Sequence, residues 1–260
     1  MIKSSQSAPS HDGEFHFRIG SVPYLNAKPL IYGIEPMVSF RPPAQLAPLL
    51  TSHALDAALL PIVDSLALRD WPHVQGAIIS CRGPVYSVFV AHRGPLEKAS
   101  IIHVDTASHT SVVLMKVILR ERFGLQPKLI PLTSYDFQDP PDNMLLIGNP
   151  AIRFRTERSD YEIFDLGEAW WEMTKLPFVF AVWVLHKSLA QSRLYHLLLK
   201  AKIDGTLRIE EIVKRETDFT ESFRREYLTR YIKFDLGDEE MKGITAFAQM
   251  LAAEPSLLTK

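Results

Sequence analysis

Residues 18–33 read RIGSVPYLNAKPLIYG, and the rest of the chain is organised around this stretch. Residues 18–22 form a predicted short strand, Pro23 ends its pairing because proline has no N–H, and a helix follows with Pro29 in its first turn. Asn26 stands between the two. A short amide in that place either caps the helix or holds a ligand, and the carboxyl end of a strand is where open α/β sheets place their ligands.

The same layout repeats down the chain. Residues 37–40 read as a second strand stopped by Pro42 and Pro43, and residues 45–50 as a helix with Leu46, Leu49 and Leu50 on one face. Residues 53–61, HALDAALLP, run from a loop into an apolar strand ending at Pro61. This alternation predicts a largely parallel sheet with helices on its faces. Strands at 74–80 and 85–92 flank the turn Cys81-Arg82-Gly83-Pro84. After Gly94-Pro95 come a strand at 101–105, the polar turn TASHTS at 106–111 and a helix over 112–123 closed by Gly124, with Arg120 and Arg122 suited to its dipole. Strands follow at 128–131, 144–147, 164–166 and 178–185, and helices at 167–173, 188–200, 209–217, 221–231 and 239–251.

Two sheets with two crossings between them, near Gly94 and Phe180, are implied. The expected architecture is therefore α/β and two-lobed: residues 18–93 with 182–260 form one lobe, 94–181 the other, and 1–17 a disordered leader. The ligand cleft lies between the lobes. We find no internal repeat and no low-complexity segment.

Composition narrows the function. The 260 residues are 47% hydrophobic and 23% charged, the balance of a globular protein, and 29 basic residues against 30 acidic ones leave a net charge of −1. That charge gives no general attraction for nucleic acid or an anionic membrane. Cys81 is the only cysteine, so there is no intrachain disulfide and no cysteine-rich zinc site; it reads as a buried small residue. The longest apolar run, 176–185, is about half a membrane span, and residues 1–15 lack an apolar signal core, which together imply the cytoplasm.

The turn Ser108-His109-Thr110-Ser111 before an apolar helix carries the most chemistry. A helix N-terminus seats a carboxylate or phosphate, and three hydroxyls add donors; the same turn is equally a well-made cap. Asn26, Ser87, the 108–111 turn and Asn149 all stand at ends of predicted strands, and a cleft lined by such neutral donors suits a small polyanion. There is no HExxH, GxGxxG, GxxxxGK or GxSxG motif, and Asp56, Asp64, Asp105 and Glu168 have no carboxylate partner nearby in sequence. Trp170, Trp171 and Trp183 read as core or cleft wall.

Taken in order, SVPYLNAKPLIYG, LDAALLP, GPVYSV, DTASHTSV, LLIGNPAI and DLGEAWWEMTKLPFVFAVW, and more faintly YIKFDLGDEEMKGITAF, resemble the chorismate dehydratases of the futalosine route to menaquinone. The resemblance implies a two-lobed fold like the type 2 periplasmic binding proteins, used as a lyase without cofactor or metal. It also implies chorismate as the small-molecule substrate, 3-[(1-carboxyvinyl)oxy]benzoate as product, and a proton taken by the substrate's own enolpyruvyl carboxylate. The sister family making 1,4-dihydroxy-6-naphthoate, and a non-catalytic small-carboxylate binding protein, are the alternatives.

By matching motif, Asn26 is the candidate catalytic residue, while Ser87, Ser108, His109, Thr110, Ser111 and Asn149 are candidates for binding substrate. The chain departs from the family pattern at His109 (arginine), Asn149 (aspartate) and Lys175 (glycine). A paired series separates binding from chemistry: in a chorismate turnover assay, His109→Arg is expected to keep or raise activity, and Asn26→Leu to abolish it with the fold intact.

Overall fold

The computed structural model describes residues 17–258 except 133, 136 and 190–192. The leader expected over 1–17 lies outside the described residues but for Phe17, which packs against the core. In chain order the elements are β1 (Ile19–Ser21), β2 (Val38–Phe40), α1 (Pro43–Thr51), β3 (Ala57–Pro61), α2 (Ile62–Ala67), β4 (His73–Cys81) and β5 (Val88–His92). There follow β6 (Ile101–Val104), α3 (His109–Phe123), β7 (Lys128–Pro131), β8 (Asn143–Ile147), α4 (Gly148–Glu157), β9 (Glu162–Asp165), α5 (Leu166–Thr174) and β10 (Phe178–Leu185). The chain ends in α6 (Arg193–Leu207), α7 (Ile209–Arg215), α8 (Glu221–Glu226) and α9 (Asp238–Ala253).

Two five-stranded sheets result, ordered β2-β1-β3-β10-β4 and β7-β6-β8-β5-β9. In the first, β1 runs parallel to β2 and β3, while β10 is antiparallel to β3 and β4. In the second, β6 runs parallel to β7 and β8, while β5 is antiparallel to β8 and β9. Each sheet is thus parallel except for one strand, and that strand is the one entered directly from the other sheet. The parallel strands point their carboxyl ends at the cleft, so a chain arriving across the cleft must run the opposite way. The expected largely parallel arrangement is thus found in both sheets, each with one strand reversed.

The crossings lie earlier than the sequence placed them. The chain leaves the first sheet at Cys81 and enters the second at Val88; it leaves at Asp165 and returns at Phe178. Residues 88–93 therefore belong with the second sheet and residues 178–181 with the first, correcting the expected lobe bounds at 93/94 and 181/182. The reason is burial: every residue of β5 is buried, and such a strand reads alike whichever sheet it joins. The two crossings also run side by side, since Cys81 pairs with Phe178 and Phe89 with Asp165.

Two short helices, α2 and α4, begin directly at the ends of β3 and β8, where the sequence reading saw only strand ends at Pro61 and at Gly148-Asn149-Pro150. The helix expected over 188–200 starts at Arg193 and runs to Leu207, and the one expected over 221–231 is α8 followed by a π-helical turn at Tyr227–Tyr231. The helix after β1 is a 3₁₀ helix, Leu25–Ile31, with Pro29 inside it. It sits on α6 at Gly205, where a Cβ would stand 2.0 Å from the Pro29 carbonyl oxygen. Only glycine permits that approach, and it fixes the height of the turn carrying Asn26.

Lys175 ends α5 with φ +58, in the left-handed region. Glycine adopts that conformation freely, whereas lysine carries strain of about 1 kcal/mol. Lys175→Gly is expected to raise the melting temperature by roughly 2–4 °C for a chain of this size, measured by scanning calorimetry.

Candidate functional site

Strand ends of both sheets enclose one cavity. Leu59 and Pro61 of β3, Ile79 of β4, and Phe180 and Ala181 of β10 line it from the first lobe; Val88, Ile147 and Gly148 line it from the second. Cross-strand pairing sets this wall, because Ala181 lies opposite Pro61 and Val88 opposite Ile147. The space measures about 560 Å³ including solvent at its mouth. Its polar lining is Tyr24, Asn26, Ser108 and Ser111, so among the described residues no charged side chain faces it.

Asn26 lies inside the 3₁₀ helix, whose N-cap is Tyr24, so it is not a cap. Its Oδ1 is buried with no hydrogen-bond partner among the described residues. Ser108 is the N-cap of α3: its Oγ accepts from Ser111 N at 3.3 Å and lies 3.0 Å from Ser111 Oγ. The N-terminus of this fifteen-residue helix therefore opens on the cavity with two hydroxyls and the positive end of its dipole.

The other predicted residues point elsewhere. Ser87 is buried behind the cavity and accepts from the Tyr227 hydroxyl at 2.7 Å. Thr110 Oγ1 accepts from Val63 N at 3.2 Å, capping the start of α2 from across the cleft. His109 Nδ1 lies 3.2 Å from Asp64 Oδ1, also on α2. Asn149 accepts from Leu25 N at 3.1 Å through Oδ1 and donates to Asp218 Oδ2 at 3.0 Å through Nδ2. Arg153 reaches the same Asp218 at 2.9 Å. Thr110, His109 and Asn149 thus tie the lobes together on two flanks of the cavity.

Tyr24 and Phe180 line the site although sequence reasoning did not single them out; both sit within the quoted motifs YLN and LPFVF. Burial, aided by the charge of Asp105, pushes the Tyr24 phenol up to about 12, so it is a neutral donor at pH 7. Tyr135 donates to Asp105 behind it. Gly148, at φ +63, lets the Tyr24 ring lie where a Cβ would come within 2.8 Å of it. Tyr227 had no signal in the sequence. Asp165, buried in the second crossing, accepts from Val85 N (3.1 Å), Tyr86 N (2.8 Å), Gly167 N (2.9 Å) and Glu168 N (3.1 Å). It therefore pins the first crossing, in which Tyr86 holds φ +68. Burial pushes the Cys81 thiol well up, so it stays protonated. Among the described residues no cluster of His, Cys, Asp or Glu could hold a metal ion, and no helix is long and apolar enough to cross a membrane.

A model of the family described as "Menaquinone biosynthesis" matches residues 17–253. The chain belongs to that family. A relative from Thermus thermophilus named chorismate dehydratase is 29% identical, the match covering 90% of this chain and 94% of the relative. Protein AF1704 from Archaeoglobus fulgidus superposes with a TM-score of 0.71 at 16% identity, covering 94% of this chain and 99% of that one. The Candida albicans CA3427 product, described as having the generic periplasmic binding protein fold, superposes with a TM-score of 0.65 at 12% identity, over 93% of this chain and 92% of its own. The expected two-lobed architecture is therefore shown.

In this member of the family, Asp218 is the point where one flank closes, since it receives both Asn149 and Arg153. Asp218→Ala is expected to let the lobes separate, seen as a larger radius of gyration in X-ray scattering. Because the Arg153–Asp218 pair is about half exposed, stability should fall by less than about 1 kcal/mol. Unchanged scattering would count against the latch.

Proposed function

We propose that this chain dehydrates chorismate to 3-[(1-carboxyvinyl)oxy]benzoate, the first step of the futalosine route to menaquinone. The observation that carries the reading is the cavity: an apolar slot between lobes, with neutral donors and one unpartnered buried carbonyl, in a chain of the menaquinone biosynthesis family. The name of the Thermus relative supports the choice of substrate.

Little acid or base chemistry is required of the protein. The C3–H bond breaks and its electron pair becomes the third double bond of an aromatic ring, while the C4–O bond breaks and hydroxide departs. The proton and hydroxide together make one water. The substrate's own enolpyruvyl carboxylate is the nearest base for the C3 proton, and aromatisation drives the elimination. What the protein supplies is orientation in a place that excludes water. The ring fits between Ile79, Val88 and Phe180. A carboxylate fits the α3 N-terminus with Ser108 and Ser111, and the neutral Tyr24 phenol stands beside them as a donor. Asn26 meets the reacting edge. His109, Thr110 and Asn149 then act around the substrate through the contacts that hold the lobes closed, and Ser87 lies behind it on the Tyr227 hydroxyl. Such an enzyme works where chorismate is made, in the cytoplasm, with no nucleic acid or membrane partner.

The test is to mix purified protein with chorismate, without added metal or nucleotide, and separate the products by mass-resolved chromatography. A product lighter than chorismate by one water is expected. Chorismate that survives while raising the melting temperature would replace the reading with that of a binding protein.

A further inference from the structure

We propose that Asn149 is a positioning residue for Asn26, reaching from the second lobe to cap the turn that carries it. The consequence for catalysis rests on the dehydratase reading, whereas the geometry stands without it. A 3₁₀ helix cannot satisfy the N–H of its own first residue, so that group needs a partner from elsewhere. In Leu25–Ile31 the N-cap residue, Tyr24, offers no side-chain hydrogen bond. The partner comes instead from the other lobe: Asn149, the second residue of α4, accepts from Leu25 N at 3.1 Å through Oδ1. Leu25 directly precedes Asn26, which lines the cavity and whose Oδ1 is buried without a partner among the described residues. The cap therefore fixes the entrance of the turn one residue before the amide that meets substrate, as the close approach of Gly205 to Pro29 fixes its far side.

Asp218 decides which end of the Asn149 amide faces Leu25. A carboxylate paired with an arginine has only acceptors to offer, and Asp218 takes Arg153 at 2.9 Å on Oδ1 and Asn149 Nδ2 at 3.0 Å on Oδ2. Nδ2 must turn to Asp218, which leaves Oδ1 for the Leu25 N–H. Asp218 is held in its turn by Arg224, which is 5% exposed. Arg224 donates from Nε to the Val213 carbonyl at 2.7 Å and from Nη1 to the carbonyls of Asp218, at 3.0 Å, and Phe219. These bonds hold the loop between α7 and α8, in which Phe219 takes φ +65. The same loop grips the 3₁₀ helix directly, with Lys28 Nζ 3.0 Å from Glu216 Oε2. Leu25 and Asp218 thus belong to one lobe, and the Asn149 amide bridges them from the other, donating at one end and accepting at the other.

Asn149→Ala removes the cap. With chorismate, kcat is expected to fall roughly 5- to 30-fold, the size of a lost helix cap, while KM stays within about threefold. A raised KM with unchanged kcat would reduce Asn149 to a clasp between lobes and overturn the proposal. Exchanging the two side chains tests the orientation. Asn149→Asp alone should cost at least about tenfold in kcat, because its carboxylate faces that of Asp218. Adding Asp218→Asn should restore kcat to within about threefold of wild type, since the new amide donates and the new carboxylate still accepts from Leu25. Losses that simply add in the double variant would count against the arrangement. Independently of turnover, the Leu25 backbone amide should exchange its hydrogen at least about tenfold faster in Asn149→Ala than in wild type, while the amides of α6 keep their rates. An unchanged Leu25 rate would overturn the geometry. If the wild type leaves chorismate untouched, the dehydratase reading fails, while the exchange measurement still decides the cap.

Discussion

Antiparallel entry is the constraint on which the structure depends. The parallel strands of each sheet aim their carboxyl ends at the gap between lobes, so a strand coming straight from the other lobe has to start at that end. β5 and β10 obey this, and their first residues become cavity wall: Val88 in one lobe, Phe180 and Ala181 in the other. The connections that join the lobes thus also build the site, and any shift of one lobe against the other moves part of the wall.

Asp165 gives these connections their stiffness. One carboxylate takes backbone N–H groups from the crossing strand and from the start of α5, so the outgoing and returning segments are bonded through a single side chain. Burial raises its pKa while the backbone donors and the nearby Arg155 guanidinium pull it down, and burial prevails. The positive φ of Tyr86 is held in place by the same carboxylate, through the Tyr86 N–H. The two crossings are thus short and well bonded, and Thr110, His109 and Asn149 add contacts across the cleft on either flank.

Much of this could be read from residues alone. Prolines after strands, Pro23 and Pro61 above all, and glycine after α3 mark the alternation that makes an α/β protein. The lobe boundaries could not be read, because fully buried strands such as β5 carry no signature of their neighbours. Asn26, Ser108 and Ser111 could be placed at the cavity from their position at strand ends. Thr110 and Asn149 stand at equally good ends, yet their polar atoms met Val63 and Asp218 across the cleft first. Pairing at long range has no local pattern. Tyr227 was hidden for another reason, since one extra residue in a helical turn rotates a ring inward without changing the composition around it.

The buried thiol at the end of β4 has a practical consequence. Cys81 is the only cysteine in the chain, is 1% exposed, and keeps its proton at neutral pH. Maleimide dyes need an exposed thiolate, so the native chain offers them no target. Two cysteines introduced on the outer surfaces, one per lobe, would take donor and acceptor fluorophores without disturbing the crossings. The distance between lobes then becomes a quantity that can be followed in single molecules as substrate enters and product leaves.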